Sequence, residues 1–110
     1  MINQLILVGR IANMEQLEKE KNEKGNSVIT IAVPRAYKNI DGEYETDFID
    51  AILFGQVSET TMEYCKKGDV VGIRGRIQSR DIENEDGTKN RKIEIVADKI
   101  TFLSTKKEDE

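Results

Sequence analysis

Phe48 and Phe54 lie six residues apart in the run Thr46-Asp47-Phe48-Ile49-Asp50-Ala51-Ile52-Leu53-Phe54-Gly55, a spacing that puts both rings to chemical use. Side chains alternate along an extended strand, so the two rings share a face with Asp50 and Ile52. Ile49, Ala51 and Leu53 fall on the opposite face and can serve a core on their own. Two aromatics on a mixed surface form a platform for stacking flat ligands, of which nucleic-acid bases are the commonest for a small β domain. By pattern alone the competing reading is core packing, the usual fate of strand aromatics. Tyr37, flanking a loop beside Arg35 and Lys38, is open to both readings, whereas Tyr44 reads as a solvated or packing residue.

Catalytic chemistry finds little support. The chain has no histidine, which removes the usual general base near neutral pH and the commonest metal ligand. Cys65 therefore has no histidine to activate it, and it reads as a buried structural residue. No P-loop, glycine-rich dinucleotide signature or metal-spaced cluster occurs, and the acidic residues are scattered through loops as a solvated surface. These features predict a non-enzymatic protein with no cofactor and no metal.

At 110 residues, with 35% charged and 37% hydrophobic side chains, the chain fits one soluble domain with a modest core. No run approaches the ~20 apolar residues of a membrane span, and Met1 to Val8 is too short and lacks the basic leader of a signal peptide. A single cysteine excludes an internal disulfide and suggests a reducing, cytoplasmic setting. The net charge is −4 and neither half of the chain is basic, so any footprint for a polyanion must be local.

The elements that must position the aromatics follow from the remaining pattern. Leu5 to Val8 within Asn3–Ile11 predict a first strand, with Gly9 permitting a bend or close approach. Met14 to Lys24 reads either as a helical turn or as one long strand continuing to a hairpin at Glu23-Lys24-Gly25-Asn26; Glu15 to Glu23 would be its solvated face. Ser27 to Val33 is a second strand, and Pro34 marks its end or an edge. Asn39-Ile40-Asp41-Gly42 signals a turn before a third strand, Tyr44 to Phe54. Gln56 to Lys67 is the one helix, with Val57, Thr61, Tyr64 and Cys65 at helical spacing and Gly68 as its cap. Asp69 to Ser79 returns to strand, with Val71, Ile73 and Ile77 on one face. Arg74 and Arg76 on the other suit a solvent face as well as a phosphate track. After a turn at Glu85-Asp86-Gly87-Thr88, a fifth strand runs from Arg91 to Ala97 and resumes at Ile100–Leu103 after a break at Asp98. Three strands, a helix and two strands give the order of an all-β, five-stranded OB-fold, a Greek-key barrel with its helix between strands three and four.

Within that order, Asn3-Gln4-Leu5-Ile6-Leu7-Val8-Gly9-Arg10-Ile11 resembles the opening strand of bacterial single-stranded DNA-binding proteins. Asp47 to Gly55 is similar to that family's third strand, Glu63-Tyr64-Cys65-Lys66-Lys67-Gly68-Asp69 to its helix end, and Val71 to Arg80 to its fourth strand. The likeness spans residues 2 to 104. It implies an OB-fold domain over 1–104 and a short charged tail over 105–110. It also implies a homotetramer, around which single-stranded DNA wraps with little sequence preference.

Family stacking positions fall on Tyr37, Phe48 and Phe54. A fourth falls on Ile82, where relatives usually carry an aromatic. Implied phosphate partners are Arg10, Arg35, Lys38, Lys67, Arg74, Arg76 and Arg80, with Lys66, Lys89, Arg91 and Lys92 as further candidates. Asp50, Gln56 and Asp81 stand where relatives are often basic, so weaker affinity and a shallower salt dependence are expected. Longer relatives end in an acidic tip with a hydrophobic pair. Thr105 to Glu110 has no such anchor, which argues against partner recruitment through a tail. Two alternatives stay open: a dimeric replication-restart adaptor of the primosomal kind, and an OB-fold that binds protein or sugar.

Overall fold

In the computed structural model, which describes residues 1–17 and 25–105, the alternating sequence becomes five strands and one helix. They are β1 (Leu5–Gln16), β2 (Ser27–Lys38), β3 (Tyr44–Leu53), α1 (Gly55–Tyr64), β4 (Val70–Glu83) and β5 (Lys89–Ser104). The strands close into a barrel in the order β1-β2-β3-β5-β4, the OB-fold architecture expected from the element order. β1 is shared between two partners: Leu5–Arg10 pair with β4 and Arg10–Gln16 pair with β2, all antiparallel. Closure comes from a short parallel contact in which Ala51 faces Ile95 and Ile52 faces Val96.

Inward alternation builds the core. Ile11, Ile29, Ile31, Ala51, Leu53, Val71, Ile73 and Ala97 are buried together, and Cys65 joins them from the end of the helix. Burial pushes the Cys65 thiol up, and the nearby Asp69 carboxylate adds to the effect. The helix docks partly through small hydroxyl residues. Ser58 and Thr61 are buried, and the Ser58 hydroxyl meets that of Ser27 on β2 at 2.7 Å, which offsets the desolvation of both.

Several elements run differently from the sequence expectation. The first strand continues to Gln16, as the long-strand alternative required; the hairpin tip beyond it lies outside the described residues, as do residues 106–110 of the tail. Pro34 does not end the second strand. It lies on an edge, as the sequence also allowed: β2 pairs with β1 only as far as Ala32, so Pro34, opposite Thr46 and just before a register shift, has β3 on one side alone. The helix stops at Tyr64 rather than Lys67. Cys65 donates its N–H to the Thr61 carbonyl, while Gly68, at φ +96°, donates to Ile11 in the following turn instead of capping the helix.

Ile77 is half-exposed although it shares its parity with Val71 and Ile73, because β4 has there run past the buried core. Its backbone is engaged instead by the Asn3 side chain. The Asn3 amide donates to the Ile77 carbonyl at 2.6 Å and accepts its N–H at 2.9 Å, extending the β1–β4 ladder. The break expected at Asp98 is a bulge inside a continuous β5: Arg74 pairs with Lys99 and Gly75 with Ala97, leaving Asp98 as the extra residue.

At this bulge the strands come very close. A Cβ added to Gly75 would lie 2.2 Å from the Val96 carbonyl oxygen, a backbone atom that cannot swing aside. At Gly72 an added Cβ meets only Leu103 and Thr101, at 3.8 and 3.9 Å. Gly75→Ala is therefore expected to lower unfolding free energy by about 1–3 kcal/mol, as overpacking does, and Gly72→Ala by less. Urea denaturation of the two variants checks the contrast.

Candidate nucleic-acid interface

Parity on β3 does what the sequence pattern implied. Ile49, Ala51 and Leu53 turn inward. Phe48 is 67% exposed, and Phe54, still extended at the N-cap of α1 (φ −116°, ψ 147°), is 45% exposed. An exposed ring beside a filled core is free to stack on a ligand. Six residues of strand set the two rings about 20 Å apart. Asp50 lies between them and accepts the Thr30 hydroxyl from β2 at 2.5 Å. Tyr37 is 70% exposed near the end of β2, in the hairpin whose turn is closed by Asn39 and Glu43. Ile82 is exposed on the β4–β5 arm opposite Asn90, so an apolar side chain without a flat face stands there.

Beyond Ile77 β4 pairs only with β5, and this two-stranded arm stands beside the outer face of β2 and β3. Between them runs a groove of about 550 Å³. Val28, Phe48, Ile52 and Ile93 give it apolar walls, and Arg80, Lys92 and Glu94 give it charge. Sequence reasoning found Phe48, Arg80 and Lys92 but missed Ile93 and Glu94. The signal for Glu94 was its alternation with Ile93 and Ile95, which places it on the same face as Val96.

Of the seven cations expected to meet phosphate, four are committed within the protein. Arg35 is clamped by Glu45 (2.5 Å) and Asp47 (2.9 Å) across the register shift between β2 and β3. Arg76 pairs with Asp98 at 2.7 Å and Arg80 with Glu94 at 2.8 Å, while Arg10 donates to the Gly68 carbonyl at 2.6 Å. Lys38 holds its ammonium 5.6 Å from the centre of the Tyr44 ring, a cation–π contact that leaves its charge available. Lys67 and Arg74 make no ion pair with a described carboxylate, but neither lines the groove. Arg74 stands opposite Ile6 on the β1–β4 face, and Lys67 lies in the turn after α1. Arg80 is thus the one of these seven that shares the groove with an expected aromatic, and Lys92, from the further candidates, joins it there.

The Arg35 clamp has an electrostatic signature. Hydrogen bonding from the guanidinium holds the Asp47 carboxyl below the usual carboxylate range, and Asp47 in turn raises the Arg35 pKa. The clamp ties together the hairpin that carries Tyr37 and Tyr44.

Residues 2–103 match the single-strand binding protein family. The chain is 39% identical over 106 residues to single-stranded DNA-binding protein B of Bacillus subtilis, a match that covers 96% of this chain and 94% of the relative. It is 38% identical to single-stranded DNA-binding protein 2 of Staphylococcus aureus, over 96% of this chain and 75% of the relative. Among solved structures, a Plasmodium falciparum SSB in complex with ssDNA superposes with a TM-score of 0.77 at 18% identity, covering 94% of this chain and 97% of that one. A small single-stranded DNA-binding protein from Streptomyces coelicolor gives 0.67 at 20% identity, covering 94% and 96%. These structural likenesses carry the fold.

The clamp predicts an acid-side signature. A depressed carboxyl pKa contributes stability that is fully present above the unfolded value, about 4 for Asp, and is lost as pH falls through the folded value. Arg35→Gln removes this contribution. The melting-temperature gap between parent and variant should be constant from pH 7 to 5 and narrow below about pH 4. Thermal melts at stepped pH check it.

Proposed function

The chain belongs to the single-strand binding protein family, and on that premise we propose that it binds single-stranded DNA with little sequence preference by stacking bases on Tyr37, Phe48 and Phe54. The observation that carries this reading is the exposure of three aromatics outside a core already filled by other residues. Stacking suits any base, because every base has a π-face. Lys38, Lys92 and Arg80 supply the charge nearest the rings, and Lys67, Arg74 and Arg76 lie further out. A duplex hides its base faces, so it is the poorer ligand. Such binding coats and protects single strands during replication, recombination or repair. It involves no reaction, and it belongs in the cytoplasm; among the described residues no helix is long and apolar enough to cross a membrane.

Self-association is part of the proposal. Leu5–Gly9 pair with β4 on one edge only, and Ile6 and Val8 beside the free edge are 70% and 52% exposed. An apolar strand with an open edge is a template for a second chain. A two-fold contact there makes the dimer of the adaptor alternative, and a further surface is needed for the tetramer proposed here.

Titration with oligo-dT at low salt should quench tyrosine fluorescence and retard mobility, with affinity falling as salt rises. Phe48→Ala and Tyr37→Ala should each weaken binding by about five- to a hundredfold, from the ~1–3 kcal/mol of one stacked base. Unchanged affinity in both variants would favour the protein- or sugar-binding alternative. Light scattering should give four times the 12.5 kDa chain mass, and Val8→Glu should lower it.

A further inference from the structure

The pair formed by Arg80 and Glu94 differs from the other ion pairs in where its charges sit. The Glu94 side chain is 6% exposed and that of Arg80 60%. Glu94 Oε1 accepts from Arg80 at 2.8 Å and Oε2 from Gln78 at 3.2 Å, so both carboxylate oxygens are occupied from β4. Arg80 stands directly across the ladder from Lys92, two residues before Glu94 on β5. All three line the groove that also holds Phe48. A surface pair is screened by water and exchanges its partners freely. Here the anion is fixed and shielded, and only the cation faces solvent.

We propose that Glu94 is an internal counter-anion that occupies Arg80 in the free protein, so that a DNA strand entering the groove must compete with this carboxylate for the guanidinium. The inference rests on the DNA-binding reading above. Salt dependence counts the small ions a polyanion displaces from protein cations and from itself. Arg80, neutralised by a fixed carboxylate, adds little to that count, and a phosphate approaching it meets the Glu94 charge just behind. Glu94 is a positioning residue that tempers affinity; it keeps Arg80 in the groove while reducing the pull of its charge.

Oligo-dT affinities over a salt series for wild type, Glu94→Gln, Arg80→Gln and the double variant test this. In Glu94→Gln the amide oxygen still accepts a hydrogen bond, but the negative charge is gone. Affinity at low salt should rise about three- to tenfold, the size of one like-charge repulsion across several ångströms in a wet groove. The slope of log affinity against log salt should steepen by about 0.7, one more phosphate neutralised. Arg80→Gln should abolish, in the Glu94→Gln background, both the gain in affinity and the steeper slope, because the released guanidinium is the group that produces them. Thermal melts identify folded variants, and Glu94→Met carries the same comparison if Glu94→Gln does not fold. Weaker binding, or an unchanged slope, in a folded Glu94 variant overturns the proposal and leaves the DNA-binding reading intact. A wild-type chain that ignores oligo-dT overturns both.

Discussion

The close passage of β4 and β5 at Gly75 is the constraint on which the remaining architecture depends. The Val96 carbonyl occupies the space where any other residue would carry its Cβ. Opposite this contact Asp98 is expelled from the ladder, and Arg76 ties it down from the neighbouring strand. A bulge bends and twists its strand. On one side of it β4 is barrel wall paired to β1; on the other β5 meets β3 at Ile95 and Val96, and past these two residues β4 and β5 run on as a free arm paired only to each other. The groove exists because the arm leaves the barrel there. Phe48 faces the arm from β3, and Arg80, Lys92 and Glu94 face Phe48 from the arm.

Electrostatics in this protein is largely a matter of internal compensation. The excess of acidic residues is not spread passively over the surface; several carboxylates hold specific arginines. Arg35, Arg76 and Arg80 each sit within 3 Å of a carboxylate oxygen. Exposed pairs of this kind add little to stability, but they set how many cations face outward with their charge unspent. Aromatic exposure then matters more than charge for the proposed ligand.

The fold was legible because its signals were local and agreed with each other. Alternation at Ile49, Ala51 and Leu53 identified an inward face, and the order of strands around a single helix identified the barrel. What stayed hidden was decided by partners distant in sequence. Pro34 reads as a strand end or an edge, and only the pairing with Thr46 on one side and the end of the β1 ladder at Ala32 on the other make it an edge within β2. Ile77 obeys the right parity, yet nothing in its neighbourhood says that β4 has by then left the core. Arg35, Arg76 and Arg80 look like free cations in a linear text, since their carboxylates lie 10 to 22 residues away or across an entire hairpin. Glu94 was missed for the same reason: its burial depends on Gln78 and Arg80. Residue type reported the chemistry available, and the pairing of strands decided how much of it was already used.

The parallel junction of β3 with β5 has a mechanical consequence. Ala51 with Ile95 and Ile52 with Val96 are its only paired positions, against long antiparallel ladders elsewhere. A barrel opens first along its thinnest seam. Ile52 and Ile95 also line the floor of the groove, so a chain of bases lying across it bridges the two lips of that seam. A strand bound in the groove, as proposed, would act as a stitch, and amide protons along β3 and β5 should be where its arrival is most plainly recorded as slowed exchange.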